Sequence, residues 1–353
     1  MRTWHVCVAA IIVACVALLG NVFGGDFTHY VNPFAGATRV AAGHDGSVWF
    51  KSGAYFVRFR PDTEELTVFP LESAYAGDVA VDQAGAAWFH SVAVVYRVWE
   101  SQMQVFMFPD SSGGGVIAPA PDGSVWASML RNDPSFRSSL LRFRGDTYEE
   151  MTVPADWMAR TISFDSSGAG WFTYSELAPI QLAKYENEAW VTFSDIPSWD
   201  APTCAAAGAA GELWIDWLCE TVRVLQDGVV VHEYGPSDGL AGHTITGIAI
   251  DVFDRVWVSD SHSGVSMFDR QDWSVFNTLN SGLPSDTVWD AAPADDGSVF
   301  FATTAGLARY KDGLWSAYTG GESTVMNNDI WSVNTDQRGY TSVSYTHLTL
   351  PTN

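Results

Sequence analysis

Residues 285–310 read SDTVWDAAPADDGSVFFATTAGLARY. Two short apolar runs flank Asp295-Asp296-Gly297, and a third follows Ala305-Gly306 and ends on Arg309-Tyr310. Runs of about five to seven residues are too short for amphipathic helices and suit strands. The Asp and Gly residues between them supply tight-turn conformations. The stretch therefore encodes consecutive antiparallel strands, and it carries no catalytic pattern.

The same pattern recurs along the chain. Gly297 is followed three residues later by Phe300, and the turn-then-aromatic unit returns in HDGSVWF, QAGAAWF, PDGSVWA, SSGAGWF, AAGELWI and VFDRVWV. The turn residues are Gly46, Gly85, Gly123, Gly168, Gly211, Asp254 and Gly297, with Gly339 continuing the series at a period of about 42 residues. Trp49, Trp88, Trp126, Trp171, Trp214 and Trp257 occupy the place of Phe300. A basic residue next to an aromatic or β-branched one keeps the same phase, as Arg58-Phe59, Arg97-Val98, Arg142-Phe143, Lys184-Tyr185, Arg223-Val224 and Arg309-Tyr310. The sixth unit has Met267-Phe268 instead. An aromatic near each unit's end is a third mark: Phe69, Phe108, Phe193, Tyr234, Phe276 and Tyr318.

Four short strands per unit of 40–45 residues predict the blade of a β-propeller. In the seventh unit the strands are expected at 287–293, 298–303, 307–311 and 315–319. One blade cannot bury both faces, so each Trp or Phe is expected to pack against a neighbouring sheet in a closed ring. The fold class is all-β: four-stranded blades, seven complete repeats and a partial eighth. Residues 27–33 (FTHYVNP) resemble a lone fourth strand like WSAYTGG at 315–321. Paired with the eighth unit, which begins NDIWSVNTDQRGY, they give an eight-bladed ring. With that strand left outside, the ring has seven blades. The period calls for an aromatic at position 342, where Ser342 stands, and SYTHLTLPTN continues without a blade pattern. Residues 342–353 are therefore read as a non-native tail on a truncated chain, and residues 26–341 as the propeller.

The first 25 residues read as a targeting segment. Arg2 and His5 precede the apolar run VCVAAIIVACVALLG, and small residues follow in NVFGGD. This is the pattern of a secretory signal peptide cleaved near Gly24. An uncleaved anchor is the second reading, since residues 6–23 are long enough to span a bilayer. IVAC at 12–15 loosely resembles a lipoprotein processing box. All three readings put the remainder outside the cytoplasm: secreted, periplasmic or on the cell surface. Membrane contact is then expected only through the N-terminal segment or a missing C-terminal part.

Of 353 residues, 47% are hydrophobic and 14% aromatic, enough for a large core and too many for disorder. Forty-one acidic residues against 18 basic leave a net charge of −23, which repels phosphate backbones and argues against nucleic acid as a partner. Outside the leader, Cys204 and Cys219 leave one disulfide open without establishing it.

A more specific likeness lies in the second half. DGLAGHTITGIAIDVFDRVWVSDSHSGVSMFD and SGLPSDTVWDAAPADDGSVFFATTAGLARYKDGLWSAY resemble the two-component-regulator propeller repeat, through Gly282-Leu283-Pro284, Gly297, Phe300, Gly306-Leu307 and Arg309-Tyr310. HDGSVWFKSGAYFVRFRPDTEELTVFP also resembles the repeats of streptogramin lyase-like propellers. The first resemblance implies an extracytoplasmic ligand-sensing or dimerisation platform. The second implies a lyase whose His and Glu residues converge with a divalent metal.

In a propeller, the connections from fourth to first strands share one rim with the second-to-third hairpins, and ligands sit there over the central channel. Phase places Trp157, Arg160, Trp199, Asp200 and His243 in or beside such connections. Trp289 and Trp331 begin first strands, and His90, Trp217 and His262 fall at second-to-third corners. Aromatic faces beside Asp and Arg suit a sugar, a peptide or a cation. No Glu-x-His, Gly-x-Ser-x-Gly, calcium-loop or phosphate-loop order occurs, so no catalytic residue, metal ligand or cofactor is assigned. The expected function is a non-catalytic recognition module for a small molecule, glycan, peptide or protein partner, part of a longer signalling or surface protein. A metal-dependent streptogramin-type lyase and a structural scaffold are the alternatives. The Arg and Lys of the repeated pairs are expected to bond acidic turns between blades.

Overall fold

The computed structural model describes residues 15–19, 28–32, 40–43, 45–52, 55–60, 63, 65–71, 78–100, 102–132, 138–153, 159–165, 167–174, 182–193, 202–217, 220–319, 329–335 and 341–345. Seven four-stranded antiparallel sheets follow one another, each a simple meander in chain order. Blade 1 runs Val40–Ala42, Val48–Ser52, Tyr55–Arg60, Glu65–Pro70. Blade 7 runs Val288–Pro293, Val299–Thr303, Gly306–Lys311, Leu314–Tyr318, within about a residue of the sequence expectation.

The turn between first and second strands has one geometry throughout. In blade 7, the Ala294 amide donates to the Ser298 carbonyl (2.8 Å) and the Gly297 amide to the Ala294 carbonyl (3.0 Å). The donor of the second of these bonds sits at positive φ, 80° for Gly297 and 64° for Asp254 in blade 6. That requirement is why the repeat is marked by Gly, with Asp as the exception.

Each core cluster joins two successive blades. Trp49 of blade 1 packs with Phe89, Val94 and Tyr96 of blade 2. Trp88 packs with Val125, Leu141 and Phe143 of blade 3, Trp171 with Leu213, Ile215 and Leu225 of blade 5, and Trp257 with Val299, Phe301 and Tyr310 of blade 7. Trp49, Trp88, Trp126, Trp171, Trp214 and Trp257 are all fully buried. An indole buries about 150–250 Å², which at ~25 cal/mol per Å² stabilises each junction by up to about 4–6 kcal/mol.

The eighth unit has Ile330–Thr335 paired with Thr341–Tyr345. Ile330, Val333 and Val343 complete a core with Phe300 and Leu307 of blade 7. Residues 341–345 thus form a second strand although 342–353 were read as tail, and Ser342 sits opposite Asn334 in the place that Trp fills elsewhere. Ile330–Thr335 lies against the first strands of both blade 7 and blade 1. The Ala42 amide donates to Asn334 Oδ1 at 3.1 Å, joining the two ends of the series. Thr28–Asn32 is a strand, as expected for residues 27–33, and pairs with Cys15–Leu19. Cys15–Leu19 in turn lies beside Thr341–Tyr345, so Thr28–Asn32 takes the outermost place. No helix among the described residues is long and apolar enough to cross a membrane. Cys219 lies outside the described residues.

Candidate functional site

A four-stranded meander puts the first-to-second and third-to-fourth turns on one rim and the remaining connections on the other. The two rims differ in chemistry. On the first, each second-strand tryptophan of the Trp49 series carries a cation, Lys184 serving Trp171. Trp49, Trp88 and Trp126 lie directly opposite Arg58, Arg97 and Arg142 on the third strand. The guanidinium carbons stand 5.2, 5.4 and 5.2 Å from the indole centroids, within cation–π reach.

The acidic turns complete these pairs, some within a blade and some between blades. Arg58 pairs with Asp45 of its own blade and donates to the Glu100 carbonyl of the next. Arg97 pairs with Asp146 of the next blade (2.6 Å). Arg142 does both, with Asp122 at 2.8 Å and Glu188 at 3.3 Å. Burial opposes ionisation of Asp122, but the Ser124 hydroxyl and amide and the Arg142 guanidinium outweigh it and hold its pKa at about 2.

Arg223 does not belong to this series. Trp217 and Thr221 close the blade 5 hairpin around three residues, whereas Ser91 and Val94 close the blade 2 hairpin around two. The extra residue sets Val224 opposite Trp214 and turns Arg223 to the other face. There it pairs with Glu233 (3.0 Å) and lies 3.8 Å from the Trp217 ring centroid. Blade 6 has the same longer hairpin, with Met267 opposite Trp257. The missing cations come from turns. Arg270 lies 5.5 Å from the Trp214 centroid and bonds Glu212 (2.8 Å) and Asp254 (2.5 Å). Arg255 lies 5.4 Å from Trp257 and bonds Asp251 (2.7 Å).

Between blades 3 and 4 this rim opens into a cleft of about 170 Å³ lined by Asp122, Trp126, Arg142, Tyr185 and Glu188. The sequence signal for it was the pair of neighbouring marks Arg142-Phe143 and Lys184-Tyr185, read above only as structural.

The opposite rim is built on bulges. In blades 3, 4, 6, 7 and 8 the first strand shifts register at its second residue, between Ser111 and Gly113, Ala159 and Thr161, Ile245 and Gly247, Val288 and Asp290, and Ile330 and Ser332. The residues set outside the ladder are Ser112, Arg160, Thr246, Trp289 and Trp331. A bulge re-aims a side chain that a regular ladder would hold in the sheet face. First strands of successive blades lie side by side, so these bulges all fall at the same end of that inner wall. The bulges are also tied across blades: Thr246 Oγ1 donates to the Val288 carbonyl (2.7 Å), and Asp290 accepts the Val333 amide (3.1 Å).

Trp289 and Trp331 stack, with centroids 5.1 Å apart and planes 4° from parallel. Trp331 keeps 46% of its surface exposed, and Arg160 is exposed. Burial raises the Asp329 carboxyl above its usual range, while a hydrogen bond with the Trp331 side chain pulls the other way.

The histidine loops of blade 6 meet at one carboxylate. Asp260 accepts the Thr244 amide (2.7 Å) from one loop and the His262 (2.8 Å) and Ser263 (2.9 Å) amides from the other. His243 and His262 are exposed on these two fastened loops. His262 Nδ1 is 2.6 Å from Ser261 Oγ. Among the described residues, no three of His, Cys, Asp and Glu gather as metal ligands would.

Trp217 is a packing residue. It is only 8% exposed and packs with Trp171 and Leu182 of blade 4. Three positions beyond Trp214 in a strand means the opposite face, and this parity was the signal that phase alone missed. His90 is also buried, its Nε2 2.6 Å from the Gly115 carbonyl. Trp157, Trp199 and Asp200 lie outside the described residues.

No protein-family model matches the chain, and no curated protein matches it in sequence. Solved structures do match in fold. A streptogramin B lyase structure is 17% identical, with a TM-score of 0.57, over 82% of this chain and 95% of that one. YCF48 bound to D1 peptide is 14% identical, with a TM-score of 0.54, over 76% of this chain and 91% of that one. The extracellular domain of the hybrid two component system BT3049 from B. thetaiotaomicron is 13% identical, with a TM-score of 0.38, over 90% of this chain and 56% of that one. The streptogramin lyase-like resemblance seen in the sequence is thus represented among the structural neighbours. At these identities the likeness establishes the β-propeller fold and nothing about activity.

Proposed function

We propose that the protein is a non-catalytic, extracytoplasmic recognition module that holds its ligand over the channel mouth on the bulge-borne rim. One observation carries this reading: two indoles on successive bulges stack in parallel, and the second stays half exposed. Elsewhere in the chain the second-strand tryptophans are buried between blades, where packing accounts for them. Packing does not account for a half-exposed indole presented by an irregularity in the strand. The leader pattern of residues 1–25 supports a place beyond a membrane, as in the sensor-type resemblance.

The test is binding of the purified propeller to glycan and peptide arrays, with a Trp331→Ala variant alongside. Signals lost in Trp331→Ala and kept in a Leu314→Ala control, altered at an exposed position on the opposite rim, support the reading. Binding indifferent to Trp331 rejects it.

A second reading rests on Asp260, which draws together the loops bearing His243 and His262. Under that reading the protein is a metal-dependent lyase. It requires turnover of a streptogramin B antibiotic with an added divalent metal, abolished by His243→Ala or His262→Ala. Unchanged substrate in that assay removes it.

A further inference from the structure

This inference rests on the channel-mouth reading and names the chemistry of its ligand. The interblade indole faces of this chain keep one kind of company. The rings of Trp49, Trp88, Trp126, Trp214 and Trp257 each carry an Arg guanidinium. Each of those guanidinium groups also bonds a carboxylate. Trp217, with Arg223 and Glu233, repeats the triplet. Indole, cation and carboxylate thus recur together at these interblade indoles, whereas Trp190, Trp273 and Trp315 on fourth strands pack on other rings.

The channel-mouth pair supplies two of the three parts. Trp289 and Trp331 give the aromatic faces. Asp329 interacts with the Trp331 side chain, and Asp290 lies in the ladder beside Trp289. Among the described residues no Arg or Lys stands over either ring. The rings are parallel, so they present a plane and not the crossed walls of a cage. A planar guanidinium stacks on such a plane while its edge donors reach a carboxylate, which a compact ammonium does less well. The net charge of −23 adds long-range attraction for a cation.

We infer that the ligand is a basic peptide segment that lays an arginine side chain on the open face of Trp331, within reach of Asp329. The ligand then completes, in trans, the triplet that the blades build in cis.

The experiment follows the indole N–H resonances of the ¹⁵N-labelled full chain, with Trp331 assigned by its loss in Trp331→Phe. Three probes are titrated: acetyl-Arg-Gly-Arg-amide, its citrulline counterpart and maltotriose. The arginine peptide is expected to shift the Trp331 resonance. The citrulline peptide is expected to bind roughly fivefold more weakly, the scale of an exposed cation–π contact. Asp329→Asn should weaken the arginine peptide by a similar factor with the rest of the spectrum unchanged. Equal binding of the two peptides overturns the inference, as does a Trp331 resonance that the arginine peptide leaves unmoved. If maltotriose shifts Trp331 and the arginine peptide does not, the cationic ligand is rejected and the channel-mouth reading stands. If the arginine peptide binds while Trp331 stays unmoved and Trp331→Ala binds it equally, both fall.

Discussion

Replacing interblade tryptophans with phenylalanine should produce a graded loss of stability set by the partner of each indole N–H. Trp257 Nε1 donates to Asp251 Oδ2 at 2.8 Å, and the Asp251 side chain is fully buried. Trp126 Nε1 meets the neutral Ser124 hydroxyl at 3.1 Å. Trp49 Nε1 is buried with no acceptor among the described residues. Trp257→Phe, Trp126→Phe and Trp49→Phe share the loss of one fused ring, so their differences isolate the hydrogen bond. A bond to a charged group contributes about 1.5–3 kcal/mol and a neutral one about 0.5–1.5 kcal/mol. Trp49→Phe deletes an unsatisfied donor and forfeits no bond. The expected order of destabilisation is Trp257→Phe, then Trp126→Phe, then Trp49→Phe, with about 1.5–3 kcal/mol between the extremes. Urea unfolding followed by circular dichroism reads this as a fall in midpoint at constant slope. If Trp49→Phe costs as much as Trp257→Phe, the indole N–H groups do not act as described.

Other outcomes follow from individual residues. Arg270→Ala removes the cation from the largely buried Glu212 carboxylate, so it should cost about 3–5 kcal/mol. Arg60→Ala breaks only the exposed pair with Glu65 and should cost under about 1 kcal/mol, and denaturant melts of both variants compare them. Burial depresses the His90 pKa despite the opposing pull of Asp78, so His90 is neutral in the fold. Its contribution to stability is present above the unfolded value of about 6.5 and is lost as pH falls below it, at up to about 1.4 kcal/mol per pH unit. His90→Gln should flatten that part of the stability profile, and an unchanged slope would refute the assignment. Asp122, held at about 2, contributes stability above its ordinary carboxylate range, and this is lost as pH falls through about 2. Arg142→Met should move the Asp122 carboxyl titration upward in a carbon-detected NMR series, and no movement would show that Ser124 alone holds it.

Much of the fold was legible because one physical need repeats. Every blade must bury an aromatic against the next, so Trp88, Trp171 and Trp257 recur in one phase and occupy equivalent interfaces. What phase could not show was parity. A single extra residue in the hairpin after Trp217 turned Arg223 away from Trp214, and Arg270, from a turn with no marked signature, took its place. Trp217 does stand at the corner that phase assigned it, but phase did not show which face its odd offset from Trp214 selects. Phase put Trp289 and Trp331 at the start of first strands, where they stand, and put Arg160 in a connection although it lies in a first strand, and the bulge common to all three was invisible. A bulge is defined by the register of two strands, and register does not appear in one strand's sequence. The same limit hid the cleft beside Trp126, which exists only where two turns from different blades meet.

The account's central claim is a closed ring in which each blade packs its aromatic on the following one and the eighth unit meets the first. The most direct measurement is the rotation relating successive blades in a crystal structure of the chain. Eight positions around a closed ring require about 45° per blade, with the Ala42 amide on Asn334. A rotation of about 51°, with Ile330–Thr335 outside the ring, would contradict it.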